Sequence, residues 1–195
     1  LERAWWDASI LVGKRGFDGG AIDLLEWREP VPVGAAPAHY HRCGFQRVGL
    51  AVSDLDAVVA RLSAAGGRTW SAPLIHRAPT GPLRLVHAED PDGIVLELFE
   101  GDGAELVFVS VVCADLERSV EWDAALGLRE RARLPSEAPD GAHLHVDGPV
   151  SAEEVLLVAP GGGPLHLLLA GFRTPAPLAA EARPLNAIGI ARLAL

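Results

Sequence analysis

The sequence predicts an α+β protein built from tandem copies of one unit, a strand followed by a helix and then two or three further strands. Three observations predict it. Gly44–Glu100 shows that order of periodicities, Glu105–Gly171 shows it again, and fragments of the same unit stand at both ends of the chain.

In the first complete unit, Val48, Leu50 and Val52 alternate with Gly49 and Ala51, the period of a strand. Ser53 is placed as helix N-cap, with Asp56 three residues on as a variant of the capping box. Leu55, Val58, Val59 and Leu62 fall at i, i+3, i+4 and i+7 and make one apolar helical face, which predicts a helix over 54–65. Gly66-Gly67 ends it, because glycine takes the left-handed conformation without a Cβ clash. Two extended runs follow, separated by the turn sequences Pro79–Pro82 and Asp90-Pro91-Asp92-Gly93, and Ile94–Phe99 is the last strand, with Glu97 between apolar neighbours.

The second unit follows the same plan. Val107, Val109 and Val111 alternate, and Asp115 aligns with Asp54. Leu116, Val120 and Ala124 share a helical face within a helix expected over 115–126, which Gly127 ends. Arg129–Leu134, Ala142–Val146 and Val155–Val158 are strand candidates. Gly161–Pro164 is a turn, and Leu165–Leu169 is the last strand, with His166 in the position of Glu97.

Residues 1–30 read as the closing half of a unit, with strands at Ala8–Val12 and Ala21–Trp27, and AIDLLEW parallels IVLELFE so that Asp23 stands opposite Glu97. Residues 31–43 and 172–188 are Pro- and Ala-rich linkers. His39, His41 and Cys43 in the first linker invite a zinc reading, but a fourth ligand at a recognisable spacing is missing, and the segment is taken as a surface connector. Gly189–Leu195 repeats Gly44–Leu50 as the first strand of a further unit. That strand is expected to be ordered and paired, against Ala21–Trp27, against a second copy in a homodimer, or against neighbouring residues.

The stretches Arg47–Asp56 (RVGLAVSDLD) and Asp90–Leu98 (DPDGIVLEL), at the two ends of the unit and repeated along the chain, resemble the module of the vicinal oxygen chelate superfamily. That superfamily holds the glyoxalases, the bleomycin-resistance proteins and the extradiol dioxygenases. The resemblance implies tandem βαβββ modules over 44–100 and 105–171, pairing into glyoxalase-like open barrels of curved mixed sheet. It implies a cleft between paired modules, with site positions on first and last strands. On the first strands these are Arg47, Phe108 and Arg192, and on the last strands Asp23, Glu97 and His166.

In the family such positions hold a divalent metal, and Glu97, Asp23 and His166 are the candidates for it here, toward Fe, Mn, Zn or Ni. Glu97 and His166 are also the candidate acid–base residues. Arginine has no lone pair for a metal and phenylalanine no donor atom, so Arg47, Phe108 and Arg192 are candidate ligand-binding residues instead. Arg47 is expected to point into the first cleft, within salt-bridge range of Glu97, Asp23 or both. Two readings stand. In one the protein binds a small aromatic or carbonyl-bearing molecule with no cofactor. In the other it is a metal-dependent lyase, isomerase or dioxygenase.

Composition narrows the partners. A net charge of −9 argues against nucleic acid, which needs a basic face. No apolar run approaches the ~20 residues that span a bilayer. Two cysteines are too few for a disulfide framework, and the reading is a reduced cytoplasm. Lys14 is the only lysine among the cations, and with the Ala, Gly and Pro richness this suggests a GC-rich bacterial genome.

Overall fold

The computed structural model describes residues 3–37, 39–78, 81–163 and 165–190. The first complete module runs β3 (Gly44–Val52), α1 (Leu55–Ala64), β4 (Arg68–Thr69), β5 (Leu74–Ala78), β6 (Gly81–Glu89) and β7 (Val95–Glu100). The second runs β8 (Glu105–Cys113), α2 (Leu116–Ala125), β9 (Arg129–Ala138), β10 (Val150–Val158) and β11 (His166–Thr174). Before them β1 (Trp5–Gly13) and β2 (Gly16–Glu29) form an antiparallel hairpin.

The two modules join in one curved mixed sheet of order β4-β6-β7-β3-β8-β11-β10-β9. First and last strands of each module are parallel neighbours, β3 with β7 and β8 with β11, and the modules meet where β3 and β8 pair antiparallel. Both helices lie on one face. Under α1, Leu55, Val58, Val59 and Leu62 pack on Val52, Val86, Ala88 and Leu98. Under α2, Leu116 and Val120 pack on Val155, Leu157, Leu167 and Leu169. Because strand side chains alternate, the other set of residues on the same strands turns to the opposite face, which becomes the cleft.

Several expectations change in detail. The α1 cap is Asp54, not Ser53: its carboxylate accepts from Ala57 N at 2.9 Å, as that of Asp115 accepts from Arg118 N at 3.0 Å for α2. The Ala142–Val146 stretch is no strand. Residues Ala142–Leu144 form a 3-10 turn that starts at Gly141 with φ +59°, and Leu144 and Val146 still alternate inward. That alternation signals burial rather than extension. The 79–82 turn falls partly outside the described residues.

The linkers are not idle connectors. They run beside each other through isolated bridges, Val33 with Ala187 and Arg42 with Leu178, and through Cys43 N donating to Leu178 O at 2.9 Å. The first linker carries Tyr40 into the interior, where it is only 5% exposed. The proposed first strand Gly189–Leu195 does not begin as one: Ala187 makes its bridge with Val33, and Gly189 and Ile190 are irregular. Residues 191–195, Arg192 among them, lie outside the described residues.

Candidate functional site

Register sets the site. Glu97 stands beside Gly49 in the β3–β7 pair and beside His87 in the β6–β7 pair. Across the module junction Gly49 faces Phe108, whose ring lies against the Gly49 Cα on the side where a Cβ would project. Only a glycine admits that ring here. Arg47, two residues back on β3, points to the same face and meets Ser110 of β8.

Arg47 is 3% exposed and its guanidinium lies among acceptors. Nε donates to Glu97 Oε2 at 2.7 Å, one terminal nitrogen donates to Gln46 Oε1 at 2.6 Å and to Ser110 Oγ at 3.2 Å, and the other donates to Glu154 Oε1 at 2.8 Å. These bonds use four of the five N–H groups of an arginine. Burial pushes the Glu97 carboxyl up, but the charge of Arg47 and the hydrogen bond from His87 outweigh it and hold it down at about 2. His87 Nε2 lies 3.2 Å from Glu97 Oε2 and 3.3 Å from the Tyr40 hydroxyl.

Tyr40 closes the cleft over this group. Its ring stands edge-on to Trp70, His87 and Phe172, and the Arg47 guanidinium sits 5.4 Å from its centroid. Burial pushes its phenol well above the ordinary value. Sequence reasoning missed both Tyr40 and Glu154, the first because its linker reads as surface, the second because β10 carries no family signature.

Glu97 and His166 are not equivalent. From the matching caps Asp54 and Asp115, Gly49 corresponds to Ser110, and the β11 neighbour of Ser110 is Leu168. His166 lies beside Phe108, two residues earlier, because the connection from β10 to β11 is two residues longer than that from β6 to β7. It therefore sits at the strand mouth. Asp23 is on the β1–β2 hairpin, exposed and in register with Ile10. Among the described residues no three His, Cys, Asp or Glu side chains converge as a metal set. A divalent metal does not fit the residues around Glu97, since its carboxylate is held by Arg47 and His87 and its neighbour across the junction is Phe108.

Open space lies at the mouth of the cleft, in a groove of about 660 Å³ lined by His39, His41, His145, Val146, Asp147 and Pro175 among others. His145 is held at φ +51°, a conformation few non-glycine residues adopt, and its ring stacks on Trp70 at 4.5 Å. Burial, then the neighbouring His39 and Arg42, push the His41 imidazole below its ordinary value. Cys43 packs against the core cluster around Tyr40.

Two modules pairing first strand to first strand around a cleft, with a helix behind each, are the architecture that the vicinal oxygen chelate resemblance implies. Residues 16–98 match the model of the Glyoxalase/Bleomycin resistance protein/Dioxygenase superfamily, and over that stretch the chain is similar to it. Among solved structures it is similar to glyoxalase I from Zea mays, at 21% identity over 85% of this chain and 53% of that one, with a TM-score of 0.56. It is also similar to a mutant of 4-hydroxymandelate synthase from Streptomyces coelicolor, at 11% identity over 68% of this chain and 48% of that one, with a TM-score of 0.52. At these identities the likeness is one of fold, and the chain spans about half the length of the glyoxalase I structure. No curated protein matches the sequence.

Proposed function

We propose that this protein binds a small aromatic or carbonyl-bearing molecule at the mouth of the cleft between its paired modules, without a full metal site. The observation that carries the reading is Arg47. A guanidinium bonded to Glu97 and Glu154 supplies, at the centre of the cleft, the positive charge that a metal supplies in the superfamily. With its bonds so committed, Arg47 organises the floor of the cleft rather than anchoring a ligand itself. The groove above offers the flat imidazole of His145, backed by Trp70 stacked on it, with His39 and His41 as hydrogen-bonding edges.

The acidic net charge supports a small-molecule partner rather than nucleic acid, and no described helix is long and apolar enough to cross a membrane. A bacterial cytoplasm and a homodimer complete the reading.

Titration of tryptophan fluorescence with a panel of planar aryl ketones and aldehydes tests the proposal. Saturable quenching in the wild type, lost in Trp70→Leu, is the expected result; a panel without saturable binders goes against it. A second reading, a metal-dependent lyase, isomerase or dioxygenase, draws on the Tyr40–His87–Glu97 contacts, a chain able to move a proton. Elemental analysis decides between them: stoichiometric Fe, Mn, Zn or Ni in purified protein favours the second.

A further inference from the structure

A second groove, of about 400 Å³, shares no residue with the mouth of the cleft. Val107 and Val158 form its apolar floor, and around them stand Arg15, Arg131, His166 and the backbone of Gly162-Gly163. We propose that this groove binds a small oxyanion, the phosphate or carboxylate group of a small molecule.

Each basic group arrives by a separate structural device. Arg131 is the extra residue of a β-bulge: Leu156 pairs with Ala132 and Leu157 with Glu130, so Arg131 has no cross-strand partner. Bulges re-aim side chains, and this one sends Arg131 to the groove, where it makes no hydrogen bond or ion pair among the described residues. The neighbouring Glu130 carboxylate is turned to Arg133, at 3.0 Å.

Arg15 comes from the β1–β2 turn. It is steered by the buried Glu105, which accepts from Arg15 N at 2.8 Å and lies 3.5 Å from Arg15 Nε. That contact engages one edge of the guanidinium, and half of the side chain stays exposed. His166 is brought in by the long glycine turn that places it at the mouth of β11, and its buried Nδ1 has no hydrogen-bond partner. Gly163 N makes no backbone hydrogen bond outside regular structure among the described residues, and Gly162 at φ +74° turns the loop there.

Two guanidinium groups, an imidazole and an open amide around one apolar pair are the components of an oxyanion receptor. In a chain of net charge −9, their gathering is against the general composition. A planar fork at Arg131, a second fork edge at Arg15 and a ring N–H from His166 together match the several acceptor oxygens of phosphate better than the two of a carboxylate.

The test uses the full chain with inorganic phosphate, acetate and sodium chloride at matched ionic strength. The melting temperature and the amide and imidazole NMR signals of Gly163 and His166 are followed. The expected result is a saturable rise in melting temperature with phosphate and movement of both signals, neither produced by chloride. Acetate giving the same response extends the site to carboxylates; acetate without response restricts it to phosphate. Arg131→Glu should weaken the response about tenfold or more. Arg173→Glu, the same charge change on an exposed residue that pairs with Glu153, should leave it unchanged. A phosphate response equal to that of chloride, or one that survives Arg131→Glu, overturns the proposal.

Discussion

Arg47 and Glu97 meet at 2.7 Å on adjacent parallel strands, on the face that lines the cleft. A charge buried this deeply is stable only while its partners stay. Arg47→Met is expected to cost about 3 kcal/mol, because it takes the guanidinium away from two partly buried carboxylates. Adding Glu97→Gln and Glu154→Gln should recover most of that loss, since neutral amides can share the remaining hydrogen bonds. Urea denaturation of the single and triple variants measures both; a single variant as stable as the wild type defeats the account.

Tyr40 should behave as a core residue although it comes from a linker. Truncation to alanine removes a ring packed on Trp70, His87 and Phe172 and is expected to cost about 3–5 kcal/mol. Tyr40→Phe keeps the ring and loses the hydroxyl's interactions with His87, at 3.3 Å, and with Gln46, at a cost of about 1 kcal/mol. Thermal melts distinguish a packed plug, with these two very different losses, from a loosely lying connector with none.

Gly49 and Phe108 should be coupled. A Cβ at Gly49 would collide with the Phe108 ring, so Gly49→Ala is expected to destabilise by about 1–3 kcal/mol. Phe108→Leu in the same chain should relieve part of that cost. Additive effects in the double-mutant cycle would contradict the contact.

Acid should act in two stages. His41 and His143 are held below their ordinary value of 6.5, His41 by burial and then by His39 and Arg42, His143 by burial and then by His87 and His76 against Asp140. Their neutral forms favour the fold, so that contribution is full above pH 6.5 and is lost as pH falls below it. Glu97 is held at about 2 against an ordinary 4.5, so its contribution is present above 4.5 and is lost between there and about 2. Unfolding free energy measured from pH 8 to 3 should therefore fall first below 6.5 and again below 4.5. In Glu97→Gln the second decline should shrink while the first remains.

How far the sequence reaches is visible in particular residues. Val48-Gly49-Leu50 and the apolar face Leu55–Leu62 determine a strand and a helix through local periodicity, and each recurs in the second module close to its expected bounds. The approach of Arg47 to Glu97 was legible too, because first and last strands of this module are neighbours.

What the tertiary structure alone decided lies across longer separations. Tyr40 fills the cleft, Glu154 becomes the second carboxylate on Arg47, and His166 stops two residues short of the place of Glu97. None of these is written in strand or helix periodicity. A linker's path, a partner 107 residues away and a register set by the length of a glycine turn depend on which surfaces close over one another, and periodicity carries no record of that.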